Sequence, residues 1–436
     1  MILDIVEADW RDPLALAAAW ADEPWILALL SDGDADRGRW SYLMRRPTRT
    51  LTAPAGSPGQ IAALADLLGA ELRQTDPAGP PFQGGIAGLM GYAFGDAPES
   101  RGLSRLADWP DLAFGRYESL LAFDHLNRKV LAIGPEAPAW LDDAGDLARP
   151  AARSPATERP PAGDYEAKVA GVVARIAAGE IFQANVARAW RGRLRPPAEP
   201  FDVALALFRA SPAPFAAWMR LPGRALLSNS PERFIRVRPE HGDLVAETRP
   251  IKGTAPRGTT PEADRALACG LAASAKDRAE NLMIVDLMRN DLARVCRPGT
   301  VRTPDLFRVE SYSNVHHLVS TVTGRLQADR TALDLIASAF PPGSITGAPK
   351  IQAMRVIDAL EPARGPFFGA MAWAGFDGAL DSSVLIRTAG FVEDADGWRW
   401  EARAGAGLVA DSDPAGERAE TDVKISALLA ALGAAD

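Results

Sequence analysis

Cysteine and histidine are scarce in this chain. Only Cys269 and Cys296 occur among its 436 residues. They are too few for a disulfide framework and too far apart for a CxxC metal knuckle. The only histidines are His125, His241, His316 and His317, which is poor material for a histidine-rich metal centre. A hard cation held by carboxylates stays open. No apolar run of about 18 residues is present to span a membrane. The opening segment "MILDIVEADWRDPLALAAAW" carries acids ahead of any apolar stretch, which is wrong for a secretory signal. A reducing cytoplasm is the expected compartment. Surplus positive charge is lacking too, since 48 Lys and Arg face 56 Asp and Glu, a net charge of −8. That argues against non-specific nucleic-acid binding. It leaves room for an anionic small substrate, because a site needs only a few local cations.

What is present reads as strands and helices mixed without regular βαβ alternation, which predicts an α+β protein. Residues 1–135 form one region, with a helix at 62–74 and strands within "GGIAGLMGYAFG" and "SLLAFDHLNRKVLAIG". Residues 136–163 are rich in Pro, Ala and Asp and read as a linker or surface excursion. Residues 164–430 carry a denser pattern. It contains helices at 165–180, 275–296, 331–340, 350–360 and 418–433, and strands at 181–194, 224–239, 316–326, 367–376 and 382–393.

Several constellations could carry chemistry. Asp277 and Glu280 share one face of a helix, as do Glu417, Glu420 and Lys424. If the two helices met at a cleft, Glu280 and Glu420 could hold one Mg²⁺. Solvated helix faces with ion pairs give the same spacing and are the commoner cause. "FPPGSITGAPK" opens a helix and offers backbone amides to an anion, but it is not a Walker A loop. Gly405 and Gly407 in "RAGAGLV" would let backbone approach a ligand, although a plain turn explains them as well. Arg387, in the apolar "SSVLIRTAG", reads as a buried arginine in need of an acidic partner, most often an internal one. Glu232 in "SNSPERF" could be a general acid if burial raised its pKa, or a turn residue in water. Lys252 lies in the loop-like "ETRPIKGTAPRG". A free lysine, with a pKa of about 10.4, is rarely a nucleophile at neutral pH. Burial or a nearby cation can change that, but spacing alone favours a surface lysine.

In this order, "GEIFQANVAR", "SPERF", "TRPIKGTAPRG", "AKDRAENLMIVDLMRNDLARV", "HHLVSTVTG", "PPGSITGAPK" and "AGAGLVADSDPAGERAETDVK" resemble the chorismate-utilising enzymes. The likeness spans about residues 164–425 and extends more loosely to the N-terminal region. Two positions indicate the branch. Members that add water to chorismate carry a lysine base where this chain has Gln183. Anthranilate-forming members usually read "PIAGT" where this chain reads "PIKGT", and that lysine marks the aminodeoxychorismate-forming branch.

The resemblance implies two antiparallel sheets packed as a sandwich with helices outside, and a site in a cleft of the C-terminal region. It implies that Lys252 attacks chorismate while Glu232 protonates the leaving hydroxyl, and that Glu280 and Glu420 bind Mg²⁺ with Asp277 and Glu417 behind them. It implies that Arg387, Lys424 and the amides around Gly405 and Gly407 hold the substrate carboxylates. Gln183, His317, Ser344 and Phe367 would line the ring; Ser344 and Phe367 stand where relatives often have Thr and Tyr. "GRWSYLMRRP" is similar to a segment near which anthranilate-forming members bind tryptophan, a candidate ligand of that region. Neither cysteine sits in a nucleophile elbow, so ammonia is expected from a separate glutamine amidotransferase subunit, and conversion to 4-aminobenzoate, for folate, from a further lyase. The runner-up is the anthranilate-forming branch. A non-catalytic chorismate- or tryptophan-binding regulator is the alternative of another class, and the joint presence of Glu232, Lys252, Glu280 and Glu420 argues against it.

Overall fold

The computed structural model describes residues 4–33, 38–54, 56–69, 72–94, 102–143, 145–312 and 315–434. Its strands form two antiparallel sheets. The first has eleven strands, in the spatial order Ile5–Asp9, Lys129–Ile133, Leu120–Asp124, Trp40–Met44, Leu27–Leu30, Phe215–Leu221, Arg224–Ser230, Thr388–Asp394, Gly397–Leu408, Gln183–Arg193 and Gly347–Ala348. The second has ten. Nine run in the order Ile251–Pro256, Val315–Arg325, Asp243–Thr248, Arg233–Glu240, Leu380–Val384, Ala370–Gly375, Gly85–Met90, Leu112–Tyr117 and Arg49–Ala53. The tenth, Arg302–Ser311, pairs onto Val315–Arg325.

Alternation puts one apolar face of each sheet inward. Leu27, Met44, Leu120 and Met219 of the first sheet meet Leu89, Tyr117, Met371 and Trp373 of the second in a shared core. The helices cover the outer faces. The helix Ala275–Ala293 packs Ile284, Val285, Met288 and Leu292 with Phe234 and Val322 of the second sheet. Pro200–Ala210 and Pro414–Ala431 pack Phe201 and Leu428 with Trp190, Trp218 and Trp400 of the first. The protein is therefore the α+β sandwich expected. Among the described residues no helix is long and apolar enough to cross a membrane.

Both sheets draw strands from distant parts of the chain. Leu27–Leu30 pairs with Phe215–Leu221, and Gly85–Met90 pairs with Ala370–Gly375. Residues 136–163 include a 3₁₀ turn at Ala137–Asp142, and Ser154 is fully buried, its Oγ accepting from Trp400 Nε1 at 3.0 Å.

Three local expectations are corrected. The helix placed at 62–74 is Gln60–Leu68, ended by Gly69 in a positive-φ conformation (φ 87°). The run 382–393 is two strands, Leu380–Val384 in the second sheet and Thr388–Asp394 in the first. The run around Lys252 is no loop. Asp243–Thr248 and Ile251–Pro256 both pair with Val315–Arg325, Pro250 occupies the gap between them, and Gly253 (φ 85°) lies within a register shift. Its Pro and Gly punctuation marks a bulged edge strand.

Candidate active site

The chain passes between the sheets at two adjoining places. Arg224–Ser230 of the first sheet leads through Pro231 and Glu232 into Arg233–Glu240 of the second. Leu380–Val384 leads back through Leu385, Ile386 and Arg387 into Thr388–Asp394. The crossings are tied together, since Val384 N donates to Glu232 O at 3.1 Å and Asn229 N to Arg387 O at 3.1 Å. Glu232 and Arg387 thus stand on neighbouring crossings between the two sheets.

Lys252 projects from the edge strand Ile251–Pro256 toward the helix Ala275–Ala293, whose N-cap Ser274 accepts from Asp277 N at 3.2 Å. Lys252 Nζ is 3.7 Å from Glu280 Oε2, and the two side chains are only 17% and 16% exposed. From the other side Lys276 comes within 3.9 Å of Glu280 Oε1. Asp277 backs the lysine strand, with its Cβ 2.9 Å from where a Cβ on Gly253 would be.

Glu420, on Pro414–Ala431, pairs with Lys424 at 2.6 Å. Burial alone would raise its pKa, but Lys424, joined by the charges of Lys252 and Lys276, brings it below the usual glutamate value. Glu417 goes the other way. Burial and the neighbouring Glu420 charge raise its pKa against the hydrogen bond it accepts from Ser412 at 2.6 Å. Burial pushes the Glu232 carboxyl up as well, and Ser344, Lys252 and Lys424 offset only part of the rise. Glu280 and Glu420 therefore look onto the same cations, and Lys252 and Lys424 act on Glu232 as well. Among the described residues no three His, Cys, Asp or Glu side chains converge as a metal cage. Two carboxylates suit a hard divalent cation that keeps water and substrate oxygens as further ligands, with Lys252 and Lys424 competing for the same oxygens.

Gly397–Leu408 and Gln183–Arg193 supply the floor, Gly407 lying opposite Asn185 and Gly405 opposite Ala187. Thr388–Asp394 covers Gly397–Leu408 only as far as Arg403, so the far end of that strand has an open edge. There Lys424 Nζ donates to Gly405 O at 3.0 Å. A Cβ on Gly407 would lie 2.8 Å from Gln183 Nε2 and 3.0 Å from Lys252 Nζ, so this glycine, Gln183 and the lysine meet. Gln183 is fully buried and neither polar atom of its amide has a partner among the described residues.

The other expected residues are more dispersed. His317 sits opposite Thr254 of the lysine strand, which hydrogen-bonds its Nδ1 at 2.9 Å. Ser344 occupies the turn Gly343–Ile345, just before the two-residue strand paired to Gln183 and Ala184. Phe367 is buried in the core, with the Arg403 guanidinium 5.1 Å from its ring centre. Arg387 is not the buried strand residue expected. It is exposed, takes φ 52° at the crossing, and no carboxylate of the described residues pairs with it, although the surrounding protein lowers its pKa. Lys350, at the end of the expected anion loop, is committed elsewhere: its Nζ is buried between Asp291 Oδ2 and Ala339 O, both at 2.7 Å. Both cysteines are free thiols, and burial raises the Cys296 pKa to about 11.

Separate from these groups, a cavity of about 640 Å³ lies between the sheets, lined in part by Arg39, Trp40, Tyr42, Arg233, Trp373 and Asp381. The "GRWSYLMRRP" segment thus lines a cavity that Lys252, Glu280 and Glu420 do not.

Comparison with known proteins agrees with this fold. A family profile described as chorismate binding enzyme matches residues 29–430. Aminodeoxychorismate synthase component 1 of Klebsiella aerogenes is 39% identical, with 98% of each chain covered. Anthranilate synthase component 1 of Streptomyces coelicolor is also 39% identical, over 91% of this chain and 81% of that one. The crystal structure of anthranilate synthase component I from Streptococcus pneumoniae TIGR4 superposes with a TM-score of 0.77 at 26% identity, covering 91% of this chain and 93% of that one.

Proposed function

The chain belongs to the chorismate-binding enzymes, and we propose that within this family it converts chorismate and ammonia to 4-amino-4-deoxychorismate. One observation carries the choice of product. A lysine, Lys252, stands 3.7 Å from Glu280 and against Gln183 and Gly407, in the middle of the candidate site. Percentage identity does not make that choice, being 39% for a relative named for either product, although the aminodeoxychorismate synthase component 1 match covers more of both chains.

In this reading the free amine of Lys252 attacks ring carbon 2 as the carbon 4–oxygen bond breaks. Glu232, whose burial favours the protonated carboxyl, gives its proton to the leaving hydroxyl and releases water. Ammonia then bonds to carbon 4 as the bond between carbon 2 and Lys252 breaks, and the new ammonium returns a proton to Glu232. The balance is chorismate plus ammonia giving aminodeoxychorismate plus water.

Glu280 and Glu420 would hold Mg²⁺, flanked by Asp277 and Glu417. Mg²⁺, when bound, supplies the positive charge that orients the ring carboxylate and eases departure of the hydroxyl. Arg387, Lys424 and the amides around Gly405 and Gly407 hold the carboxylates, while Gln183, His317 and Ser344 line the ring. The unpaired Arg387 and the open edge beyond Arg403 support that assignment. Phe367, buried and without a hydroxyl, offers an apolar contact only. Ammonia would come from a separate glutamine amidotransferase, a reading supported by the "component 1" in the relatives' names, and the product would serve 4-aminobenzoate and folate synthesis.

The test is product analysis. The purified chain is incubated with chorismate, Mg²⁺ and an ammonium salt at alkaline pH, with and without aminodeoxychorismate lyase. A non-aromatic amine that the lyase turns into 4-aminobenzoate is expected. Anthranilate formed without lyase would instead support the second reading, which the Streptomyces coelicolor relative favours.

A further inference from the structure

The Gln183–Arg193 strand carries a second amide that the reaction above leaves unused. Asn185 lies two residues beyond Gln183, so both side chains rise from one face of the strand. Gln183 is 0% and Asn185 7% exposed. Asn185 Oδ1, like both polar atoms of the Gln183 amide, has no hydrogen-bond partner among the described residues. Asn185 Oδ1 sits 2.7 Å from where a Cβ on Gly405 would be, one glycine along from the point where Gln183 Nε2 and Lys252 Nζ converge on Gly407. The two glycines leave bare backbone against which both amides lie, and Lys252 closes its end.

A buried carbonyl oxygen without a donor is costly unless a ligand supplies one. The carboxylates of chorismate cannot, since both only accept. The 4-hydroxyl can donate, but it belongs with Glu232, which protonates it. The remaining reactant, ammonia, is rich in N–H. We infer that Asn185 binds the nitrogen nucleophile: its Oδ1 accepts an N–H of ammonia and holds the molecule over the Gly405–Gly407 strip ahead of attack at carbon 4. A neutral amide suits the task, because a carboxylate there would favour ammonium, which has no lone pair to give. The amide takes no proton, which passes to Glu232 as described. The inference rests on the ammonia-dependent reaction proposed above.

Asn185→Leu keeps the volume and removes the acceptor, and Asn185→Ala, in an alanine-rich strand, decides the matter if the leucine variant does not fold. Steady-state rates of the full chain with Mg²⁺ are measured over a range of ammonium chloride and, separately, of chorismate, with thermal unfolding as the check on folding. The KM for ammonia should rise about tenfold, as loss of one hydrogen bond gives, with the KM for chorismate and the unfolding midpoint nearly unchanged. An unchanged KM for ammonia would overturn the assignment. A matching rise in the KM for chorismate would also overturn it and move Asn185 to the ring. If the wild-type chain made anthranilate, the proposed product would fall, yet the ammonia KM would still decide Asn185. A wild-type chain with no ammonia-dependent product would overturn both.

Discussion

At the scale of single residues, the site sets reactivity against comfort. Lys252→Ala removes the nucleophile from a half-buried position, so the fold and Mg²⁺ binding should persist while aminodeoxychorismate formation falls more than about a hundredfold. Mass analysis of acid-quenched protein gives the same answer: a chorismate-derived adduct should form on the wild-type chain and be missing from the variant. Glu232 can be read through stability. Its pKa is raised by burial, so the folded state holds its proton more tightly than the unfolded state does. Its contribution is then fully present below the unfolded pKa, about 4.3, and is lost as pH rises through the folded value. Glu232→Gln should be more stable than wild type at pH 8 and no more stable at pH 4, while losing about 10²–10⁴ in rate. Equal unfolding midpoints at both pH values would contradict the burial argument. Most of these residues entered through the order of the motifs and the resemblance it carries, because spacing alone, Glu280 three positions after Asp277 and Glu420 three after Glu417, fits solvated helix faces better. Asn185 did not, although its signal was there, two places after Gln183 in an alternating strand. What sequence alone withholds is that Gly405 and Gly407 lie alongside, and only strand pairing supplies that.

At the scale of elements, glycines separate what serves chemistry from what serves the sheet. A Cβ on Gly407 would strike the ends of two side chains, Gln183 and Lys252, whereas a Cβ on Gly88 would lie 2.0 Å from the backbone oxygen of Ala113. Side-chain ends can move and a paired strand cannot. Gly407→Ala should therefore keep its unfolding midpoint and lose activity. Gly88→Ala should lose several degrees of midpoint or fail to accumulate in soluble form. The reverse pattern would show that the Gly407 side of the site has slack. The helix Ala162–Ala177 was legible from apolar spacing, because one face packs on a sheet. The lysine strand was misjudged because Pro250, Gly253 and Pro256 outweighed a pairing partner more than sixty residues away, Val315–Arg325. The break at Arg387 was hidden for a similar reason: an apolar run looks the same whether it stays in one sheet or crosses to the other.

At the scale of the whole molecule, the division of the chain into an N-terminal region and a later one does not follow the sheets. Ile5–Asp9, Leu27–Leu30, Trp40–Met44, Leu120–Asp124 and Lys129–Ile133 end the first sheet, and Arg49–Ala53, Gly85–Met90 and Leu112–Tyr117 end the second. A chain begun at Asp164 would leave Phe215–Leu221 and Ala370–Gly375 as open apolar edges. It should aggregate or lack a cooperative unfolding transition, and a soluble, cooperatively folded product would refute that view. The sandwich class was legible from motif order, but the interleaving was not, since it consists of pairings between residues hundreds of positions apart. One further consequence concerns travel. A nucleophile that closes on a ring carbon and later lets go must advance and retreat. Lys252 is carried by the outermost strand of its sheet, hydrogen-bonded along one side only and already bulged near Gly253. Such a strand can yield a little without unpicking its neighbours. Its compliance would show as faster amide hydrogen exchange in Ile251–Pro256 than in the flanked strand Val315–Arg325, the give that a reversible covalent bond requires.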